Sequence, residues 1–276
     1  MIPLVITTLS VLVVLFLLFL FLVFPSRRHH ADLALIDGRY IAHRGLHDLS
    51  PSGTATPENS LAAFRAAAEA GYMIENDIHL TADGQVVVFH DDTLTRMCGV
   101  DGTPESMTLS QLKSLRLAGS DQTIPTLQEC LDVVDGRVPL LIEFKCMNLS
   151  ACRRLCETAA PILDSYKGKY LVQSFFPFVL RWYRKNRPQV CRGQLAAGFY
   201  REKFHMRLAG CLLFNAVGRP DFVSYDHRNA GNICRRFCTA LGAHPVCWTI
   251  HSQKELNYAR RWFRTFIFEG FIPSDK

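Results

Sequence analysis

The chain has 276 residues, 49% hydrophobic and 20% charged, a composition that excludes a disordered chain or a low-complexity polymer. Its 31 basic and 25 acidic residues leave a net charge of +6. That excess is too mild for a dedicated nucleic-acid binder and suits a protein lying near anionic lipid.

The apolar residues are unevenly spread. Met1 to Ser26 contain no Asp, Glu, Lys, Arg or His, and Leu4 to Phe24 are almost continuous Leu, Val, Phe and Ile. About 21 helical residues at roughly 1.5 Å each span the ~30 Å hydrocarbon core, so residues 1–26 read as a transmembrane anchor. A cleaved signal peptide fits less well. No Lys or Arg precedes the run, the run exceeds the usual h-region of about 7–15 residues, and no small-x-small site follows it. A segment apolar on every face is also unlike a soluble amphipathic helix. Arg27-Arg28-His29-His30 open a basic linker over 27–38. Positive charge follows the anchor rather than preceding it, which predicts a single-pass membrane protein whose main domain faces the cytoplasm. The ten cysteines include no Cys-x-x-Cys pair, so a zinc knuckle has no support. They read as small apolar core residues and agree with a reducing compartment.

The remaining residues, 39–276, are the usual size of one α/β barrel, roughly 250 residues. Strands are expected over 39–43, 72–77, 85–90, 139–145, 169–174, 194–198, 221–225, 245–250 and 265–269. Helices are expected over 60–70, 108–116, 126–134, 149–165, 177–186, 229–241 and 252–264. Asn59 or Ser60 caps the first of these helices, and Thr108 with Gln111 makes a capping box for the second. The alternation predicts parallel strands inside a helical shell. Nine strands exceed an eight-stranded barrel by one, so either 221–225 or 245–250 is expected to be peripheral. The link Ile78 to Gly84 is too short for a crossover helix, and is expected to reach back extended over ~23 Å. Residues 97–125, rich in Gly and Pro, read as a small insertion packed over one end.

The strand ends carry the chemistry. The first finishes His43-Arg44-Gly45, the second reads Glu75-Asn76-Asp77, the third ends His90-Asp91, and the fourth contains Glu143-Phe144-Lys145. Glu75 and Asp77 share one strand face, as do Glu143 and Lys145. Three inward carboxylates among apolar residues repel one another unless a cation joins them. Oxygen-only ligation by Glu75, Asp77 and Glu143 suits one Mg²⁺ or Ca²⁺. His43 and His90 supply general acid and base near neutrality, and Arg44 and Lys145 add fixed positive charge suited to phosphate oxygens. Together these groups describe phosphodiester cleavage. Each alone is weak: a lone Glu-x-Asp is usually a surface pair, and Glu143 and Lys145 on one strand face can simply neutralise each other. Their co-occurrence on four successive strands is the signal.

His43-Arg44-Gly45, Pro57-Glu58-Asn59-Ser60, Glu75-x-Asp77, Asp83-Gly84 leading to His90-Asp91, and Glu143-x-Lys145 resemble the glycerophosphodiester phosphodiesterase family. Gln173-Ser174-Phe175 and Trp248-Thr249 extend the resemblance more loosely. It implies a distorted TIM (β/α)8 barrel with an insertion after the third strand. It also implies metal ligation at Glu75, Asp77 and Glu143, acid–base catalysis by His43 and His90, and phosphate binding by Arg44 and Lys145. Glu58 would be auxiliary to metal and Arg44, and Trp248 would wall the substrate pocket. The reaction implied is hydrolysis of a glycerophosphodiester to glycerol 3-phosphate and an alcohol, with the substrate's 2-hydroxyl attacking first. One departure is Phe268-Glu269-Gly270, where the family often has Thr-Asp. His79 is left out of the site, and Asp91 needs a turn to reach the His90 side chain.

The alternatives are a lysophospholipase D acting on lipids that keep one acyl chain, and an inactive membrane-tethered binding module. An apolar groove beside the barrel mouth would favour the first, and a missing His or carboxylate would favour the second. No nucleic-acid partner is expected: the basic-aromatic runs at 181–187 and 260–264 read as solvated or lipid-facing surfaces.

Overall fold

A computed structural model describes residues 2–26, 30–47, 56–146, 148–198 and 202–274. Arg27, Arg28 and His29 of the expected linker, and Asp48 in the loop after the first strand, lie outside the described residues. The strands are β1 (Tyr40–Ala42), β2 (Met73–Leu80), β3 (Val86–Val88), β4 (Leu140–Phe144), β5 (Tyr170–Ser174), β6 (Arg192–Ala196), β7 (Phe222–Asp226), β8 (His244–Ile250) and β9 (Thr265–Phe268). The helices are α1 (Ile2–Val23), α2 (His30–Leu33), α3 (Leu61–Glu69), α4 (Thr95–Cys98), α5 (Leu109–Lys113), α6 (Leu127–Val134), α7 (Leu149–Ser165), α8 (Pro177–Asn186), α9 (Phe204–Gly210), α10 (Asn215–Gly218), α11 (Ile233–Ala240) and α12 (Gln253–Ala259).

Strands β1, β2 and β4 to β9 pair in parallel and close on themselves through β1 and β9. The fold is a TIM-type barrel, but its ninth strand is not the one expected. Residues 221–225 and 245–250 both lie within barrel strands, β7 and β8, and β3 is the strand outside. It pairs antiparallel with β2, Ile78 opposite Val88 and Leu80 opposite Val86. The physical reason is the length of the link. A parallel return needs a crossover of a dozen or more residues, whereas a tight turn suffices for a hairpin. Thr81 to Gly84 make that turn: Gly84 N–H donates to the Thr81 carbonyl at 3.0 Å, and Gly84 sits at φ 77°. The expected extended return across the barrel is therefore replaced by a hairpin. The parallel return to β4 comes only after the 97–125 segment and α6. That segment packs its own small core, with Leu112, Leu117 and Ile124 against Val87 and Phe89.

Side-chain alternation divides the apolar residues between two cores. Ile41, Met73, Leu141, Leu171, Val246 and Ile267 point inward and fill the barrel. Their alternates, among them Ala42, Ile74, Ile142 and Phe268, pack under the helices. Gly193 is required on β6 because a Cβ there would lie 1.9 Å from the Phe222 ring inside the barrel. The N-terminal end of the barrel is closed by residues expected only as linker: Leu33 and Ile36 are buried against the inward set. Thr265 Oγ1 donates to the Ile36 carbonyl at 2.5 Å and Gly38 N–H to the Arg264 carbonyl at 2.9 Å.

Helices over 204–210 and 215–218 had no counterpart in the expected set, and 229–241 is shortened to α11, capped by the Asn232 side chain. Ser60, not Asn59, caps α3, and the Thr108–Gln111 capping box is formed. Leu4–Val23 is long and apolar enough to cross a membrane by length and composition, a test that a signal sequence also passes. Its last turn is held by the barrel. Arg219 donates to the carbonyls of Phe21 (2.7 Å) and Phe24 (2.9 Å), and Asn215 and Cys238 donate to that of Val23 (3.3 Å each). These side chains satisfy carbonyls that a helix end leaves without intrahelical partners.

Because Ile36 seals the barrel floor at 1% exposure, Ile36→Ala is expected to destabilise the fold by about 2–5 kcal/mol. Urea denaturation of the detergent-solubilised chain reads this directly. An unchanged midpoint would show that the segment does not belong to the core.

Candidate active site

Inward alternation carries the barrel core up into the site. Above Ile41 comes His43, above Met73 come Glu75 and Asp77, above Leu141 come Glu143 and Lys145, and above Ile267 comes Glu269. These positions lie at the C-terminal ends of the strands, where barrels of this type place their chemistry. His90 arrives differently. The β2–β3 hairpin rises past the rim and returns, and Phe89 N–H donates to the Asp77 carbonyl at 2.9 Å. His90 is thereby delivered beside Asp77 by a returning strand, not at the end of a barrel strand as expected.

The structure brings the expected residues together. His43, Arg44, Glu75, His90, Glu143, Lys145 and Trp248 line one cavity of about 90 Å³. Glu75, Asp77 and Glu143 are buried, each with a carboxylate oxygen within 4.8 Å of the others'. Lys145 Nζ lies 2.6 Å from Glu143 and 3.0 Å from Asp77. Arg44 lies 2.7 Å from Glu58 and 3.8 Å from Asp77, and its backbone N–H donates to Glu75 at 3.3 Å. The turn that allows this sets Arg44 at φ 57° and Gly45 at φ 83°, and a Cβ on Gly45 would press the Ala63 backbone at 2.8 Å. Glycine is thus required after Arg44. Trp248 Nε1 donates to the Ser224 carbonyl at 3.1 Å, and its ring stands edge-on to Phe175 at 5.7 Å.

The carboxylates differ sharply in proton affinity. Burial pushes Glu75 well above the usual range, and Asp77 and Glu143 add to the effect. Burial lifts Glu143 to about 7 against the opposing pull of Lys145. Burial acts in the same direction on Asp77, but Lys145, His90 and Arg44 outweigh it and hold that carboxyl far below its ordinary value. Without a further cation, this cluster retains protons near neutrality. A cluster of this kind suits a divalent ion, because a bound cation would offset the burial and the mutual repulsion that raise Glu75 and Glu143.

Four partners were given no role at the site by the sequence reading. Glu269 accepts a short hydrogen bond from His43 Nδ1. Burial pushes His43 down to about 4, and the Glu269 hydrogen bond opposes that shift. Its only sequence signal was the departure Phe268-Glu269-Gly270. Arg96 makes paired hydrogen bonds to Glu58 (2.6 and 2.9 Å) and to Asp91 (2.6 and 2.8 Å), so it ties these two carboxylates together beside His90. Asn59 Nδ2 donates to Asp77 at 2.9 Å, and Gln173 Nε2 to Glu75 at 3.3 Å. Asp91 does meet His90 Nδ1, at 2.7 Å, because the chain leaves β3 before these residues and turns. His79, left out of the site, pairs with Glu105 of the insertion at 2.5 Å.

A closed parallel barrel with paired imidazoles, buried carboxylates and two cations at its C-terminal rim defines a TIM-barrel hydrolase. More particularly, the chain belongs to the glycerophosphoryl diester phosphodiesterase family, whose sequence profile matches residues 43–269. The matched span starts at His43 and ends at its hydrogen-bond partner Glu269. A glycerophosphodiester phosphodiesterase of Caldanaerobacter subterraneus subsp. tengcongensis is 32% identical over 180 residues, covering 61% of this chain and 70% of that protein. A lysophospholipase D of Rattus norvegicus is 29% identical over 165 residues, covering 55% of this chain and 49% of that protein. Among solved structures, an Oleispira antarctica phosphodiesterase in complex with the product sn-glycerol-3-phosphate superimposes with a TM-score of 0.70. It is 24% identical, and the match covers 86% of this chain and 94% of that one. A Thermotoga maritima glycerophosphodiester phosphodiesterase gives 0.63 at 26% identity, over 83% and 93%.

Glu269 raises the His43 proton affinity, so removing its charge leaves burial to lower that affinity further. Glu269→Gln is therefore expected to move the His43-governed limb of the pH–rate profile to lower pH, and to cut kcat by about tenfold, ~1.4 kcal/mol. Coincident profiles for wild type and variant would refute a positioning role.

Proposed function

We propose that the chain is a metal-dependent glycerophosphodiester phosphodiesterase that releases glycerol 3-phosphate and an alcohol through paired histidines. The observation that carries this reading is the single cavity shared by His43, His90, Arg44, Lys145 and the buried carboxylates. Glu75, Asp77 and Glu143 are the residues that would hold one Mg²⁺ or Ca²⁺, hard ions that favour an all-oxygen donor set. When bound, such an ion supplies charge stabilisation at the phosphate. Arg44 and Lys145 bind the non-bridging phosphate oxygens. One imidazole takes the proton of the attacking 2-hydroxyl and the other gives a proton to the departing oxygen. The roles then reverse as water opens the cyclic phosphate. Glu269 and Asp91 hold the two rings in orientation through their Nδ1 atoms. Among the described residues no expected catalytic group is missing, which weighs against an inactive binding module.

We also read α1 as a retained single-pass anchor with the barrel on the cytoplasmic side. Its support is the set of side chains, Arg219, Asn215 and Cys238, that engage the last carbonyls of the helix. Removing α1 would leave those barrel groups without their partners. Arg27 and Arg28 supply the positive charge that flanks helices on the cytoplasmic face.

Incubation with glycerophosphocholine is expected to yield glycerol 3-phosphate and choline, to stop in EDTA and to resume with Mg²⁺ or Ca²⁺. Undiminished turnover after metal removal would sink the metal assignment. His43→Ala and His90→Ala should each lower kcat by about 10²–10⁴-fold with an unchanged circular dichroism spectrum. For topology, a membrane-impermeant thiol reagent should leave the domain unlabelled in intact cells and label it after permeabilisation.

A further inference from the structure

Outside the reaction site, helix α8 carries a cluster of cations that the phosphodiesterase chemistry does not use. Arg181, Arg184 and Lys185 are exposed and lie three or four residues apart, so they share one face of α8. They line a depression of about 580 Å³ together with Phe21 of α1 and Ala216 and Val217 of α10. Like charges at this spacing repel one another. Neighbouring cations are paired: Arg187 holds Asp164 at 2.6 Å, and Arg153 holds Glu157 at 2.8 Å. Glu157 lines the next depression beside Arg181 and Lys185, yet its bond goes to Arg153. Among the described residues no ion pair engages Arg181, Arg184 or Lys185.

A fourth cation adds to the imbalance. Arg219, just past α10, lays its guanidinium over the Phe21 ring, 4.5 Å from its centre, and gives its hydrogen bonds to the carbonyls of Phe21 and Phe24. Burial and the charge of Arg184 both lower its proton affinity. The cations thus converge where α1 ends. From Leu4 to Phe21 the helix rises about 26 Å, close to the ~30 Å thickness of a hydrocarbon core. When α1 spans a bilayer, Phe21 falls at the boundary between acyl chains and headgroups. Phe237 of α11 also meets α1 there, edge-on to Phe19 at 5.8 Å, and Ile233, one turn earlier on α11, is 64% exposed. Cations beside exposed apolar residues, at the end of a spanning helix, match the headgroup layer in both charge and polarity.

We propose that this depression binds the headgroup phosphate of an anionic phospholipid, with Arg181, Arg184 and Lys185 as the donors and Phe21 against the acyl chains. The proposal rests on the reading of α1 as a retained anchor and names the lipid that the anchored chain selects. A guanidinium offers a planar pair of donors to phosphate oxygens, and the ammonium adds a point charge. Phosphatidylcholine carries a choline cation that the cluster repels, whereas phosphatidylglycerol brings only negative charge. An anion in the depression relieves the mutual repulsion of the four cations, a relief that no carboxylate of the described residues supplies to Arg181, Arg184 or Lys185.

The test places the full chain in nanodiscs of phosphatidylcholine with a minority of phosphatidylglycerol. Electron paramagnetic resonance reads how much spin-labelled phosphatidylglycerol, and how much spin-labelled phosphatidylcholine, is immobilised on the protein. We expect phosphatidylglycerol to be preferred about fivefold or more, the scale of one cation's attraction to an anionic membrane surface. The preference should vanish at about 1 M salt, where the screening length is roughly 3 Å. Combining Arg181→Gln, Arg184→Gln and Lys185→Gln should abolish it with an unchanged circular dichroism spectrum. Combining Arg181→Lys, Arg184→Lys and Lys185→Arg should keep it. Equal immobilisation of the two lipids by the wild type, or a preference untouched by the neutral triple variant, overturns the proposal. So does loss of the preference in inorganic phosphate at matched ionic strength, which assigns the depression to the free anion. Release of the chain from cell membranes by alkaline carbonate overturns the anchor reading and the proposal together. Equal immobilisation by a chain that resists carbonate overturns the proposal alone. None of these readouts depends on turnover, so the phosphodiesterase reading is untouched by them. The wild-type preference and its salt dependence need no variant, so a misfolded triple variant does not remove the test.

Discussion

Three carboxylates brought within 4.8 Å of one another inside an apolar barrel are the constraint around which the site is organised. Buried like charges cannot all ionise without compensation. Lys145 sits between Asp77 and Glu143, Arg44 reaches toward Asp77 from the first strand, and Asn59 donates to Asp77 from the loop before α3. The strained turn at Arg44-Gly45 follows from this demand, because it directs both the Arg44 backbone N–H and its guanidinium into the cluster. The hairpin also serves it: His90 helps hold Asp77 ionised, and the antiparallel return of β3 is what brings it there.

The charged residues of β1, β2 and β4 were legible because each interrupts an apolar strand on its inward face. Period-two alternation then fixes which partners share the barrel interior. The direction of β3 was legible in principle, since Ile78 to Gly84 cannot hold a crossover, yet a parallel return was expected there. Once β3 leaves the barrel, the surplus strand is accounted for and β7 and β8 both take their places. Arg96 was not legible. It lies on a four-residue helix, and its partners Glu58 and Asp91 come from separate stretches of the chain. No local pattern announces a guanidinium that bonds a carboxylate 38 residues away in sequence. Glu269 was visible only as a deviation, and its meaning depended on a closure that sequence does not display: β9 pairs with β1, so the end of the last strand stands beside the end of the first.

That closure ties the two ends of the folded domain to one imidazole. His43 N–H donates to the Phe268 carbonyl at 2.9 Å, and the His43 ring bonds the next residue's carboxylate. The backbone contact fixes where the ring stands, and the side-chain contact fixes which ring nitrogen faces the cavity. With Nδ1 engaged by Glu269, Nε2 is the atom turned toward Glu75, 4.0 Å away. His90 has the same arrangement with Asp91 on its Nδ1. Two imidazoles, each held at Nδ1 by a carboxylate, present like nitrogens to the cavity. That symmetry suits a reaction in which acid and base exchange roles between its two halves.

The segment before the barrel joins the apolar helix α1 to the barrel floor. Ile36 and Leu33 close the barrel floor, while the carbonyls at the end of α1 are taken by Arg219, Asn215 and Cys238 of the helical shell. The apolar helix is thus seated against α10 and α11. A flexible tether would leave the barrel free to turn about the helix. A seated helix sets one orientation between the two, with Val217 and the cations Arg181, Arg184 and Lys185 beside the helix. The basic-aromatic run at 181–187 thereby lies against the end of that helix, its aromatic members Tyr183 and Trp182 packed on the shell beneath and its cations outward.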